Sequence, residues 1–267
     1  MSKFVVVIFP NENRAYEGTR ALKDLHGEGS LTLYGMAVVA KQSDGKIAVK
    51  DALDTGPVGM GVGALIGGLV GLVGGPVGAA IGLYAGSLVG ALDDIANAGV
   101  QTDFLETIST RLVPGKTAVV AEVAEDWVTP LDVRMEAIGG EIIREWRSDF
   151  EDQQIEKVIK ERQADVARLK EEWSRASEER KVKLKGQIDA AQAKLDKSIK
   201  RAQDRVRQLE QEAGVKIKEL EQQAAKATGE AKARIEQRSA ETRADYDRRI
   251  NLLKQAWALT KKAFAAE

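Results

Sequence analysis

The stretch that decides the organisation of this chain is an uncharged block of 38 residues, Thr55 to Leu92, in a sequence that is 30% charged. Its first part reads GPVGMGVGALIGGLVGLVG from Gly56, and its second part reads GPVGAAIGLYAGSLVG from Gly75, at an offset of 19 residues. In each copy glycine recurs about every fourth position, at Gly59, Gly63, Gly67, Gly71 and Gly75, and then at Gly78, Gly82, Gly86 and Gly90.

This glycine spacing predicts close packing between helices. Glycines four residues apart lie about one helical turn from each other, so two helix backbones can approach closely along that face. In water each glycine lowers the stability of a helix by about 1 kcal/mol relative to alanine. In hydrocarbon the backbone has no water to bond, so a helix forms despite the glycines. Pro57 and Pro76 suit the first turn of a helix, so we predict an antiparallel helical hairpin with arms at Pro57–Val73 and Pro76–Leu92.

The sequence does not decide whether this hairpin lies in a membrane or is buried in protein. Each arm is about 25 Å long, against about 30 Å of bilayer hydrocarbon. The flanks carry Asp51, Asp54, Asp93 and Asp94 instead of the basic and aromatic residues that border typical spans. We expect insertion into a membrane, fully or partly, with burial in a protein assembly as the alternative.

The residues on either side of the block predict an α/β head. Lys3–Gly27 and Lys116–Gly140 share one plan at an offset of 113 residues, namely a strand, a capped helix and a glycine stop. Two such βαβ halves in one antiparallel sheet predict an α+β, ferredoxin-like head formed by residues 1–54 and 93–147. The predicted strands are Phe4–Pro10, Leu31–Lys41, Lys46–Lys50, Thr117–Val123 and Glu141–Trp146.

Residues 148–267 predict a long helical coiled-coil tail, because apolar residues recur there at steps of eleven. Gly186, Gly214 and Gly229 are the positions where such a helix can break, and a hairpin at Gly214 would bring Trp173 beside Trp257. A polar helix of this length needs a partner to be stable. The predicted core residues are Trp173, Leu184, Leu195, Val206, Leu209, Ile217, Leu220, Ile235, Tyr246, Leu253 and Trp257. A face lying on anionic lipid is the alternative use of this repeat.

The composition argues against nucleic-acid binding, catalysis and metal binding. Residues 1–140 hold ten Lys/Arg and 16 Asp/Glu, a net of −6, and residues 141–267 have a net of +5, which is too weak and too mixed for nucleic-acid binding. The chain has no cysteine, and His26 is its single histidine. No triad or carboxylate pair stands out, so we predict no catalytic residues, no metal site, no cofactor and no small-molecule substrate.

The head and its glycine block resemble a bacterial family of unknown function whose members are regarded as membrane proteins with glycine-zipper segments. The resemblance is carried by FVVVIF at Phe4–Phe9, the glycines of Gly56–Gly90, LVPGKTAVVAEV from Leu112 and IGGEII from Ile138. It covers about residues 1–147 and implies membrane association without a known reaction.

These patterns lead to one functional prediction with two alternatives. We predict a non-enzymatic, self-associating, membrane-linked scaffold at the bacterial inner membrane, with the head and the tail on the cytoplasmic side. Its partners would be other copies of itself and the lipid bilayer. The alternatives are a cytoplasmic homo-oligomeric ring or barrel with buried hairpins, and a pore-forming or membrane-perturbing protein.

Overall fold

A computed structural model describes residues 2–53, 62–63, 65–70, 102–147 and 149–264 of the protein. Its strands are β1 (Lys3–Phe9), β2 (Leu31–Lys41), β3 (Ile47–Leu53), β4 (Thr117–Glu125) and β5 (Glu141–Trp146). Its helices are α1 (Glu12–Gly27), α2 (Thr102–Arg111), α3 (Thr129–Ala137), α4 (Phe150–Ser174), α5 (Glu178–Lys226) and α6 (Gly229–Phe264). The predicted combination of one antiparallel sheet and long helices is therefore confirmed.

The five strands form one antiparallel sheet in the order β3-β2-β4-β1-β5. The strand β4 pairs on one side with β1, where Val6 lies opposite Val120, and on the other side with β2, where Ala37 lies opposite the same Val120. The central strands are runs of β-branched and small apolar residues, as expected for strands that are buried on both faces. The crossover helices α1 and α3 connect strands that are not neighbours in the sheet.

Each face of the sheet has its own apolar core, because alternate residues of a strand point to opposite faces. On one face α1 and α3 cover Val5, Val7 and Phe9, with Leu22 and Met135 among the helix residues. The side chain of Asn11 caps α1 by accepting a hydrogen bond of 3.0 Å from the Arg14 backbone N–H, which explains where this helix begins.

The other face is covered partly by the first arm of the glycine block. Residues 62–63 and 65–70 are helical, and Val62, Leu65 and Leu69 are buried against a core that includes Phe4 and Val120. The helix α2 packs on the same core, which buries its Phe104, Leu105, Ile108 and the following Leu112. The rest of the block, including the second arm of the predicted hairpin, lies outside the described residues.

The chain divides into two compact units. The first unit contains Met1–Ser148 and also Glu212–Arg243, which are the end of α5 and the start of α6. The second unit contains Asp149–Gln211 and Ala244–Glu267. The sequence-based division assigned all of residues 148–267 to the tail, whereas residues 212–243 belong with the sheet.

Helices α5 and α6 of the tail are separated at Ala227 and Thr228, and Gly229 begins α6 with a positive φ of 56°. The predicted break at Gly229 is therefore confirmed. Gly186 and Gly214 lie inside α5, so the alternative hairpin at Gly214 is wrong. Both glycines are exposed, with no atom within 4 Å of an added Cβ, so they do not mark a close approach.

Candidate functional site

The glycine face of residues 62–70 points away from the sheet. Gly63 and Gly67 are both exposed, and a Cβ added to either would meet nothing within 4 Å among the described residues. Leu65 and Leu69, on the other side of the same segment, are fully buried in the core of the sheet. The segment thus packs Leu65 and Leu69 on the sheet, and among the described residues nothing contacts Gly63 and Gly67 on the other side.

The structure describes only these two of the nine glycines that we predicted for helix packing. The remaining seven lie outside the described residues and stay predictions: Gly59, Gly71, Gly75, Gly78, Gly82, Gly86 and Gly90.

A buried ionic cluster joins the sheet to the start of the 212–243 segment. Glu122, on β4, is fully buried and accepts hydrogen bonds from the ammonium group of Lys216 and, at 2.7 Å, from the hydroxyl of Ser2. Arg147 lies 3.3 Å from Glu122 and donates to both carboxylate oxygens of Glu212, at 3.0 Å to Oε2. Two carboxylates and two cations thus meet beneath the helix.

The charges in this cluster balance one another. Burial by itself would raise the pKa of Glu122, but the cations of Lys216 and Arg147 outweigh it, so the pKa lies below its usual value. Glu122 is therefore ionised at neutral pH. A neutralised cluster closed to solvent positions a helix and offers no group to a substrate.

A second polar contact, next to this cluster, fixes residues 212–243 to the start of β2. Arg238 donates to Asp126 at 3.0 Å, to the Thr32 hydroxyl at 3.0 Å and to the Gly29 carbonyl at 2.6 Å. Gln223 donates to the His26 carbonyl at 2.6 Å and to the Leu31 carbonyl at 2.8 Å.

Apolar packing reinforces these hydrogen bonds. Tyr34 and Ala124 of the sheet pack with Leu220 and Ile235 of the two helices in one buried cluster. Ala124 shares its sheet face with Val120 by strand alternation, so residues 212–243 and the glycine-block arm cover the same face.

His26 is half-buried at this contact. Its Nδ1 accepts a hydrogen bond of 3.2 Å from the Leu33 backbone N–H, and its Nε2 lies 3.6 Å from the Glu219 carboxylate. Burial lowers the pKa of His26, and the Glu219 carboxylate opposes part of that shift. The imidazole is therefore neutral at pH 7 and serves as a backbone acceptor.

The second unit has a buried ionic cluster of its own. Asp152 is fully buried and accepts hydrogen bonds from Arg205 at 2.8 Å and from Arg249 at 2.6 Å, which joins three helical segments. Burial raises the pKa of the neighbouring Glu151, although Arg205 lies 3.2 Å away and opposes the shift. Here the buried charges of Asp152, Arg205 and Arg249 lie between helices, whereas in the first unit they lie between the sheet and a helix.

The predicted core residues of the tail differ in their exposure. Trp173 is 42% exposed, and Ile217 and Trp257 are half-buried. The others are buried in one unit or the other: Leu184, Leu195, Val206, Leu209, Leu220, Ile235, Tyr246 and Leu253.

Sequence reasoning missed the buried charges, although the signal was present in the same spacing. Arg205 and Lys216 are eleven residues apart, and so are Glu212 and Gln223 and, further on, Arg238 and Arg249. Buried polar residues thus follow the same step as the apolar core. The predicted core of the tail contains only the apolar residues of that series.

Neither a metal site nor a membrane span is found in the described part of the chain. No group of three or more His, Asp or Glu residues is arranged there to hold a metal ion. Every helix in those ranges is too short or too polar to cross a bilayer. A surface depression lies along the exposed side of α2. All of its lining residues belong to that helix: Asp103, Glu106, Thr107, Thr110 and Arg111.

Comparison with known proteins gives one match. Residues 60–160 match the model of a family described as protein of unknown function (DUF1269). The match begins in the glycine block and ends in α4, so it covers the second half of the head. No curated protein and no solved structure matches the chain.

Proposed function

We propose that this protein is a non-enzymatic scaffold that associates with other copies of itself through the glycine face of residues 55–92. The observation that carries the proposal is the orientation of Gly63 and Gly67, which face outward while Leu65 and Leu69 anchor the same segment to the sheet. Such a face allows another backbone to approach to van der Waals contact.

The polar groups of the protein support a structural role over a catalytic one. Glu122 and Lys216 are 0% and 1% exposed at their side chains, so a substrate has no access to them. The same applies to Asp152 and Arg205 in the second unit. These residues hold helices in place, and a scaffold needs a rigid frame of this kind.

We further propose a ferredoxin-like class for the head and a coiled coil for the tail. The order β2-β4-β1-β5 with two helical crossovers supports the first, and β3 would then be an added edge strand. Buried residues at steps of eleven in α5 support the second. The link to a membrane, on the cytoplasmic side, stays a prediction that depends on residues 71–92.

Leucine substitutions at the glycine face test the proposal. A Cβ at Gly67 meets no described residue of its own chain within 4 Å, so Gly67→Leu should block the approach of another backbone without disturbing the described core. We expect Gly67→Leu, alone and with Gly86→Leu, to shift the protein to a smaller species on a sizing column and in native mass spectrometry.

Gly214→Leu is the matched control, because Gly214 is also helical, exposed and free of neighbours within 4 Å. It should leave the assembly unchanged. If Gly67→Leu elutes like the wild type, or if the wild type is a monomer with and without detergent, the proposal is wrong.

A further inference from the structure

The end of the second unit where α4 meets α5 exposes two large apolar side chains. Trp173, in the last turn of α4, is 42% exposed, and Val182, in the first turns of α5, is 78% exposed. Lys181, the residue before Val182, places its ammonium group 5.2 Å from the centre of the Trp173 ring. Both side chains would bury apolar area if a surface covered this end of the unit.

Basic residues lie on both sides of Val182 in the sequence. Residues 180–185 carry four Lys/Arg and no Asp or Glu. Arg180, Lys183 and Lys185 are exposed beside Val182. Four carboxylates also lie here, those of Glu171, Glu172, Glu178 and Glu179. Glu171 pairs with Arg175 at 2.7 Å, Glu178 with Lys181 at 2.8 Å and Glu172 with Arg168 at 3.8 Å.

We propose that this basic, apolar end binds the surface of an anionic lipid bilayer. The lysine and arginine side chains would meet the headgroup phosphates and carboxylates, and the Trp173 ring and the Val182 methyls would enter the interfacial layer. Tryptophan prefers that layer because one edge of its ring is polar and the rest is apolar. A polybasic segment adds attraction that depends on anionic lipid and weakens with salt.

The combination favours lipid over nucleic acid as the occupant. A nucleic acid would use the same cations but would gain little from an exposed valine, because its grooves and phosphates are polar. A lipid interface takes up both the charge and the aliphatic side chain.

Co-sedimentation of the full chain with vesicles tests this surface. We expect binding to phosphatidylcholine vesicles that contain phosphatidylserine, weaker binding as salt is added, and little binding without phosphatidylserine. The double variant Lys183→Glu with Lys185→Glu should lower the partition coefficient by roughly tenfold. Val182→Ser should also weaken binding, without changing net charge.

Lys218→Glu with Lys232→Glu is the matched control, because both lysines are exposed on helices of the first unit and the change in net charge is the same. The proposal is overturned if vesicle binding falls equally in this control, if it is unchanged in the Lys183/Lys185 variant, or if the wild type binds no vesicle.

Binding that needs neither phosphatidylserine nor these lysines would point to the glycine block. A change in assembly size with unchanged vesicle binding would make the surface an interface between copies. Selective binding of a duplex oligonucleotide, with vesicles ignored, would equally refute it. None of these outcomes bears on the Gly67→Leu test.

Discussion

Individual buried charges, more than catalytic groups, distinguish this protein at the residue scale. Glu122 lies on a central strand between the apolar residues Ala121 and Val123, and it is ionised only because Lys216 and Arg147 compensate it. Removing one member of such a cluster leaves an uncompensated charge in a low dielectric. The cluster therefore makes the position of the 212–243 segment specific.

Glu122→Gln tests this role. It keeps the size of the side chain and leaves one positive charge unbalanced, so we expect the free energy of unfolding to fall by about 3 kcal/mol in urea titrations. Glu17→Gln is the control, because Glu17 pairs with Arg14 in an exposed position, and it should cost less than about 1 kcal/mol. Equal, small losses in the two variants would show that the buried cluster carries no specificity.

Because of His26, we expect the free energy of unfolding to depend on pH. Burial lowers the pKa of His26 in the folded protein below the ordinary value of about 6.5, so the unfolded chain takes up a proton first as the pH falls. The stabilising effect is complete above pH 6.5 and is lost as the pH falls from 6.5 towards the folded pKa.

His26→Asn should remove the pH dependence of unfolding in that window, because Asn can accept the Leu33 hydrogen bond without titrating. The chain has one histidine, so a single imidazole signal in NMR reports its pKa directly. A titration midpoint at or above 6.5 would contradict the effect of burial.

The sequence predicted apolar burial at the residue scale better than polar burial. Leu195 and Leu209 are fully buried as expected, because a regular spacing marks the buried side of a helix. Trp173 follows the same series but lies where α4 ends, and the helix ends at Ser174 before the series can continue. Charges such as Lys216 look solvated in the sequence until their partners are known.

Packing between α1 and β1 illustrates the element scale. Gly18 faces the ring of Phe9, and a Cβ on Gly18 would lie 2.6 Å from the Phe9 Cζ atom. The helix can lie this close to the strand only because no side chain intervenes.

Gly18→Ala should therefore destabilise the protein by about 1–3 kcal/mol, despite the higher helix propensity of alanine. Gly27→Ala is the matched control in the same helix, because an added Cβ there meets nothing within 4 Å. Thermal unfolding of both variants gives the comparison, and a Gly18→Ala protein as stable as the Gly27→Ala protein would refute the close contact.

The strands were the most predictable elements. Leu31–Lys41 and Glu141–Trp146 have the bounds that the sequence predicted, since glycines and turn residues surround compact β-branched runs. The placement of residues 212–243 could not be predicted, because it depends on contacts between Gln223, Arg238 and the distant β2 strand. A periodic helix pattern predicts a buried face but does not identify what covers it.

At the scale of the whole molecule, the first unit needs a segment that lies far from the sheet in sequence. Leu220 and Ile235 cover Tyr34 and Ala124, so a chain that ends at residue 147 would expose that cluster and uncover Glu122.

A chain of residues 1–147 should accordingly melt at a lower temperature than the full protein and bind the dye ANS. A chain that ends at Arg243 keeps the 212–243 segment and cuts only the second unit, so it should not bind ANS at the Tyr34 cluster of the first unit. If the 1–147 chain melts like the full protein without binding dye, the segment is not part of the first unit.

Self-association through the glycine face is the central claim, and a single cysteine measures it most directly. The chain has no cysteine, so Gly67→Cys introduces the only thiol, on an exposed face without described neighbours. Gly214→Cys places the same thiol on an exposed helix elsewhere. Under mild oxidation we expect the Gly67→Cys protein to form covalent dimers at low concentration while the Gly214→Cys protein stays monomeric on denaturing gels. Equal cross-linking of the two variants, or none at Gly67→Cys, would contradict the account.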